Sequence, residues 1–189
     1  MCGIIGLLGR RPAGPLLLDG LKRLEYRGYD SAGVATLADR KIERRRAEGK
    51  IARLEAVVTD QPVRGTIGIG HTRWATHGKP NEVNAHPHVA HGIAVVHNGI
   101  IENYRALKRR LIDAGHRFET ETDTEVVPHL IAAHRAAGLG RTEATARAFA
   151  ELDGAYALVV LFEDDPELLM AARKGSPLAI GYGDGEMYV

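Results

Sequence analysis

Two strand-length stretches, Val34–Leu37 and Lys41–Arg46, are separated only by Ala38-Asp39-Arg40. Three residues cannot carry the crossover that a parallel pair needs, so these strands must run antiparallel. The same argument applies where Asp164-Asp165-Pro166 separates strand-like Ala155–Phe162 from Leu168–Ala172. Around these pairs the chain reads strand, helix, strands, helix, strands, helices, strands. That order departs from the regular βα alternation of a doubly wound sheet. It predicts antiparallel sheets with the helices gathered in groups.

The remaining elements follow from period and punctuation. Gly3–Leu8 is an apolar run of strand length, and Leu17, Leu18, Leu21 and Leu24 recur at helical spacing from Pro15 until Gly28. Lys50–Thr59 predicts a short amphipathic helix, and Thr66–His71 and Gly92–His97 predict β-branched strands. Ile101–Ala114, Asp123–Ala137 and Arg141–Leu152 predict helices, and Leu178–Tyr182 a further strand. Thr122-Asp123-Thr124-Glu125 has the capping-box pattern, and Pro128 falls early enough for the first turn of its helix. The ending Glu186–Val189 reads as a strand just begun, so the expected domain spans 1–189 and is cut short at its C-terminal end.

Bulk composition narrows the classes. At 189 residues, with 44% hydrophobic and 26% charged residues, the chain fits one large globular domain. A formal net charge of +1 gives no ground for a nucleic-acid or membrane partner. The densest basic run, Arg40–Lys50, contains Glu43 and Glu48 and alternates like a solvated hairpin. There is no basic n-region with an apolar h-region, and no apolar run approaches the roughly 18 residues of a membrane helix. A single cysteine rules out an internal disulfide and fits a reducing, cytoplasmic setting.

That cysteine, Cys2, has two readings. It is a small residue that packs at the start of a strand. Alternatively, removal of Met1 would place a thiol, with a pKa of about 8.5, on the same residue as an α-amine of about 7.7 to 8.0, so nucleophile and base would share one residue. His71-Thr72-Arg73-Trp74 closes a predicted strand, and Arg73 offers a planar fork suited to a carboxylate. Asn98-Gly99 follows another strand and has the composition of an oxyanion hole, although Asn-Gly is also a common hairpin turn. Asp123 is either a first-turn helix acid or a carboxylate offered to an ammonium group. His86, His88, His91 and His97 form a weak metal signal without HExxH or a cysteine pair, so no metal or other cofactor is expected.

Together these stretches resemble one family. Cys2-Gly3-Ile4-Ile5-Gly6 is similar to the start of class II glutamine amidotransferases, which are N-terminal-nucleophile hydrolases. Leu24–Ala35 (LEYRGYDSAGVA), Gly70–His88 (GHTRWATHGKPNEVNAHPH), Val95–Tyr104 (VVHNGIIENY) and Glu121–Val127 (ETDTEVV) resemble the glutaminase half of the glucosamine-6-phosphate synthase family. The resemblance implies an α+β fold, a four-layer αββα sandwich of two antiparallel sheets. It also implies hydrolysis of L-glutamine through a Cys2 thioester. Asn98 and Gly99 would hold the oxyanion, with Arg27 and Gly28 supporting the nucleophile. Arg73 would bind the substrate carboxylate and Asp123 its ammonium, with Trp74, Thr76, His77 and His86 around them. The family's sugar isomerase half, which takes fructose 6-phosphate, is expected to be absent from these 189 residues, and a homodimer is expected at full length. Rival readings are another class II amidotransferase, a non-catalytic glutamine-binding domain, and a histidine-rich metal-binding domain.

Overall fold

A computed structural model describes residues 2–189. The expectation that Met1 is removed lies outside these residues. The strands are β1 (Gly3–Leu8), β2 (Ser31–Ala38), β3 (Lys41–Glu48), β4 (Ile67–Arg73), β5 (His88–Ala90), β6 (Ile93–Gly99), β7 (Tyr156–Phe162), β8 (Asp165–Lys174), β9 (Gly181–Gly183) and β10 (Glu186–Tyr188). The helices are α1 (Ala13–Leu24), α2 (Ile51–Asp60), α3 (Tyr104–Asp113), α4 (Val126–Ala136) and α5 (Arg141–Ala150).

The strands form two sheets, in the order β3-β2-β4-β1-β10-β9 and β5-β6-β7-β8. Every pairing between these strands is antiparallel. Alternation along the central strands builds the layers, because successive side chains point to opposite faces. On β6 and β7, Ala94, Val96, Val159 and Leu161 face inward to Ala35, Leu37, Ile67 and Ile69 of the other sheet. Their neighbours Ile93, Val95, Leu158, Val160 and Phe162 face outward onto α3, α4 and α5. On the far side, Leu17, Leu21, Ile51 and Leu54 of α1 and α2 cover the six-stranded sheet. The result is the expected α-β-β-α order of four layers.

The β2–β3 turn is tighter than the three residues expected. Ala38 pairs with Lys41, and Asp39 and Arg40 both take positive φ, as in a two-residue primed hairpin turn. The basic strand β3 is less solvated than its charge suggests. Arg44 and Arg46 lie against the 83–87 segment and donate to the carbonyls of Pro87, Val83 and Ala85.

Three local expectations differ from the structure. Leu178–Ile180 is not a strand: Ile180 is exposed and the segment has no partner, so only Gly181–Gly183 pairs, with β10. The capping box is not formed, because Glu125 accepts from Glu119 N, Thr120 N and Thr120 Oγ1 instead of the Thr122 N–H, which donates to Thr120 Oγ1. Asp123 likewise accepts from the backbone N–H of Ile101, 2.8 Å away, instead of capping α4. Partners outside the helix outcompete the local caps. Pro128 does sit in the first turn of α4.

Candidate active site

β1 and β4 pair with Gly3 opposite Thr72, which sets Cys2 beside the end of β4. The backbone N–H of Trp74 donates to the Cys2 Sγ across 3.2 Å. Burial pushes the thiol up, and that N–H partly offsets it. The Cys2 carbonyl receives two donors, Asn98 Nδ2 at 3.1 Å and Arg27 Nε at 3.4 Å. Gly28 passes against the same corner in extended backbone: a Cβ there would lie 2.8 Å from the carbonyl carbon and oxygen of Arg73. No larger residue fits without moving the strand end that carries Arg73 and Trp74.

Asn98 is oriented by a residue that sequence reasoning did not single out. His71 Nε2 donates to both Asn98 Oδ1 and the His97 carbonyl, each at 2.9 Å. Both partners are carbonyl oxygens, so this nitrogen carries the proton and the amide must turn its NH₂ toward Cys2. Full burial holds the His71 pKa down to about 3, so the ring is neutral. Gly99 adopts φ 125°, and a Cβ would lie 2.1 Å from the Ala155 carbonyl oxygen. Only glycine lets β6 leave the sheet here.

Around this end, Cys2, Arg73, Trp74, Thr76, His77, His86, His97, Gly99 and Asp123 line one narrow cleft of about 10 Å³. That is room for about one water molecule. Arg73 is 3% exposed, and its guanidinium donates to the carbonyls of His77, Gly78 and Lys79. Among the described residues no carboxylate lies within ion-pair range of it, and burial lowers its pKa. Asp123 is equally buried, with Oδ2 held by Ile101 N and Oδ1 3.4 Å from the Thr124 hydroxyl. A buried cation and a buried anion thus face one cleft without pairing.

The walls are hydrogen-bonded into place. Thr124 Oγ1 joins His86 Nε2 at 2.9 Å and His97 Nδ1 at 2.8 Å. His86 also packs on His71, with ring centroids 4.2 Å apart, and on His88 at 4.5 Å. Burial lowers the pKa of His86, His88 and His97, as it does for His71. The covering segment 74–80 is pinned at both ends. Ala75 N donates to Asp30, and Lys79 N to Glu121, which also accepts from Asn84 Nδ2. Trp74 is 48% exposed and meets the Tyr29 ring edge-on, and His77 meets Tyr104 the same way. Of the histidines read as a weak metal set, His86, His88 and His97 share this buried layer, whereas His91 lies elsewhere.

Residues 71–189 match the family model for a glutamine amidotransferase domain. The chain belongs to this family. It is 60% identical over all its 189 residues to a glutamine–fructose-6-phosphate aminotransferase (isomerizing) of Rhizobium meliloti strain 1021, and 56% identical to that of Zymomonas mobilis. In each case it spans 31% of the relative's length. Among solved structures, it resembles a glutamine phosphoribosylpyrophosphate amidotransferase from B. subtilis, with a TM-score of 0.85 and 28% identity over the whole chain and 41% of that structure. A class-II glutamine aminotransferase domain protein from Silicibacter pomeroyi shares the fold, with a TM-score of 0.63 and 19% identity over 98% of this chain and 87% of that one. The four layers are therefore the N-terminal-nucleophile sandwich of the glutamine amidotransferases. In this amidotransferase domain the missed residues, His71, Thr124, Asp30 and Asn84, act on other side chains or on loops. Asn84 falls in the polar run after β4 and Thr124 in the hydroxyl-rich segment before α4, whereas His71 lies within β4 and Asp30 just before β2; nothing local identifies their partners.

Proposed function

We propose that this domain hydrolyses L-glutamine to glutamate and ammonia through a Cys2 thioester. In the full-length protein, the ammonia would aminate fructose 6-phosphate to glucosamine 6-phosphate. One observation carries the reading: the Asn98 amide, held by neutral His71, points its NH₂ at the Cys2 end of a cleft that also contains unpaired Arg73 and Asp123. Glutamine is a zwitterion with an amide at its far end. Selective binding needs a cation, an anion and an amide-directed nucleophile, and the cleft holds all three.

In this mechanism the substrate carboxylate takes the Arg73 guanidinium from the 77–79 carbonyls, and its ammonium meets Asp123. The cleft is too small for glutamine as it stands, so segment 74–80 opens for entry and closes over the bound amino acid. The Cys2 α-amine, freed by loss of Met1, accepts the thiol proton as Sγ attacks the amide carbon. Asn98 Nδ2 and the Gly99 N–H stabilise the oxyanion. The C–N bond breaks, the amine's proton leaves with ammonia, and water cleaves the thioester to glutamate. Arg27 and Gly28 keep the Cys2 backbone in register. Trp74, Thr76, His77 and His86 form the covering wall.

The sugar acceptor is favoured over a phosphoribosyl acceptor by the 60% identity to aminotransferases acting with fructose 6-phosphate, against 28% to the phosphoribosylpyrophosphate enzyme. A full-length homodimer in the cytoplasm accompanies this reading, and among the described residues no helix is long and apolar enough to cross a membrane. The test is intact mass with a glutamate-release assay, on this chain and on the full-length protein. The expected result is loss of Met1 with glutamate release, abolished in Cys2→Ala. Wild-type turnover in Cys2→Ala would overturn the mechanism.

A further inference from the structure

Three histidines outside the cleft turn their ring nitrogens toward one another. His129 Nδ1 lies 3.1 Å from His91 Nε2 and 3.0 Å from His116 Nδ1. His116 and His129 are 13 residues apart, and His91 and His129 are 38 apart, so no short spacing motif announces the group. We propose that His91, His116 and His129 form a binding site for a first-row divalent metal ion of the zinc type.

The geometry fits one ion better than it fits hydrogen bonding alone. Zinc held tetrahedrally at about 2.0–2.1 Å from each nitrogen sets the nitrogens about 3.3–3.4 Å apart. The two spacings to His129 are within a few tenths of an ångström of that, and all three nitrogens lie within 4.8 Å of one another. Without an ion, the single His129 Nδ1 must serve two other ring nitrogens with one lone pair or one proton. With His129 coordinating through Nδ1, its Nε2 carries the proton and faces Glu125 Oε1, 3.8 Å away. That nitrogen is buried and has no other partner. A carboxylate behind a ligating imidazole is the usual outer support of a histidine-bound metal. Glu125 is itself anchored by Glu119 N, Thr120 N and Thr120 Oγ1.

Each ligand is mounted on rigid backbone. His91 has φ 54° in the two-residue turn between β5 and β6, a conformation non-glycine residues rarely take. His116 closes α3: its N–H donates to Leu111 O while Gly115 N–H donates to Ile112 O, the Schellman pattern. His129 lies buried in α4. An open cleft of about 470 Å³ beside the three rings gives an ion access and leaves a coordination position for water. A bound ion would tie the β5–β6 turn and the end of α3 to α4, close to the segment that carries Asp123.

The test is zinc titration by calorimetry, with metal content after dialysis and thermal unfolding. It uses the Cys2→Ala chain, so that the thiol contributes no ligand. The expected result is one equivalent of Zn²⁺ and a raised melting temperature. Both are lost in His116→Ala and in His91→Ala, with affinity at least about 100-fold weaker. These two positions lie toward the rim, and unchanged metal-free melting confirms that the variants fold. Binding that both variants leave intact, or no binding at micromolar free zinc, would overturn the site.

Discussion

Two histidine clusters contact the 119–125 segment, one through Thr122 and Thr124 and the other through Glu125, and differ in what their nitrogens meet. In the cleft, His71, His86, His88 and His97 are fully buried, and each points one nitrogen at a hydroxyl or carbonyl oxygen. At the rim, His91, His116 and His129 point nitrogens at each other. Oxygen partners assign a tautomer and hold a neighbour in place, which suits rings that stay neutral. Converging nitrogens leave lone pairs that a cation satisfies. Residue type alone does not separate a structural histidine layer from a metal site; the partner atom does. Glu125 connects the two, reaching His129 directly and His88 through the Thr120 and Thr122 hydroxyls.

After the loss expected of Cys2→Ala, the largest effect on the cleft side is from Asn98→Ala, which removes an oxyanion donor. It should lower kcat by about 10²–10³ with little change in KM, measured by glutamate release. A rise in KM with kcat unchanged would assign Asn98 to binding instead. His71→Ala leaves the Asn98 amide unanchored and should lower kcat about tenfold, with partial recovery in His71→Gln, which restores an N–H donor. Equal loss in both variants would make His71 a packing residue only.

Acid should weaken the fold through the cleft cluster. His71 has a folded pKa of about 3 against about 6.5 unfolded, and His86, His88 and His97 are also depressed. Between the two values the unfolded chain binds more protons, so stability is present above about pH 6.5 and is lost as pH falls toward the folded pKa. Each such histidine adds at most about 1.4 kcal/mol per pH unit to the slope of unfolding free energy. Urea unfolding measured between about pH 6 and about pH 5 should show this slope, reduced in His88→Asn. The smallest effect belongs to the rim: without metal, His116→Ala should keep glutaminase turnover within about twofold of the parent, because it touches no cleft residue.

Much of the fold was legible. Short turns forced antiparallel strands, and the alternation of Ala94, Val95, Val96 and of Val159, Val160, Leu161 between two cores reflects a sheet covered on both faces. Leu178–Ile180 misled because apolar content alone cannot supply a partner strand. Thr122–Glu125 misled because its cap pattern is local, whereas Glu125 is engaged by residues 119–120 and Asp123 by Ile101.

The sequence by itself determined the chemistry on offer. A thiol at position 2, an Asn-Gly after one strand, an arginine after another and an acid before a helix are all visible as residues in order. Only the tertiary structure decided which of them meet. Asn98 and Cys2 are 96 residues apart and touch because β4 brings β1 and β2 together beneath the end of β6. The same packing places His71 behind Asn98 and gathers His91, His116 and His129 at the rim. Hydrogen bonds and metal coordination act over about 2–3 Å, and no spacing along the chain encodes a distance that short.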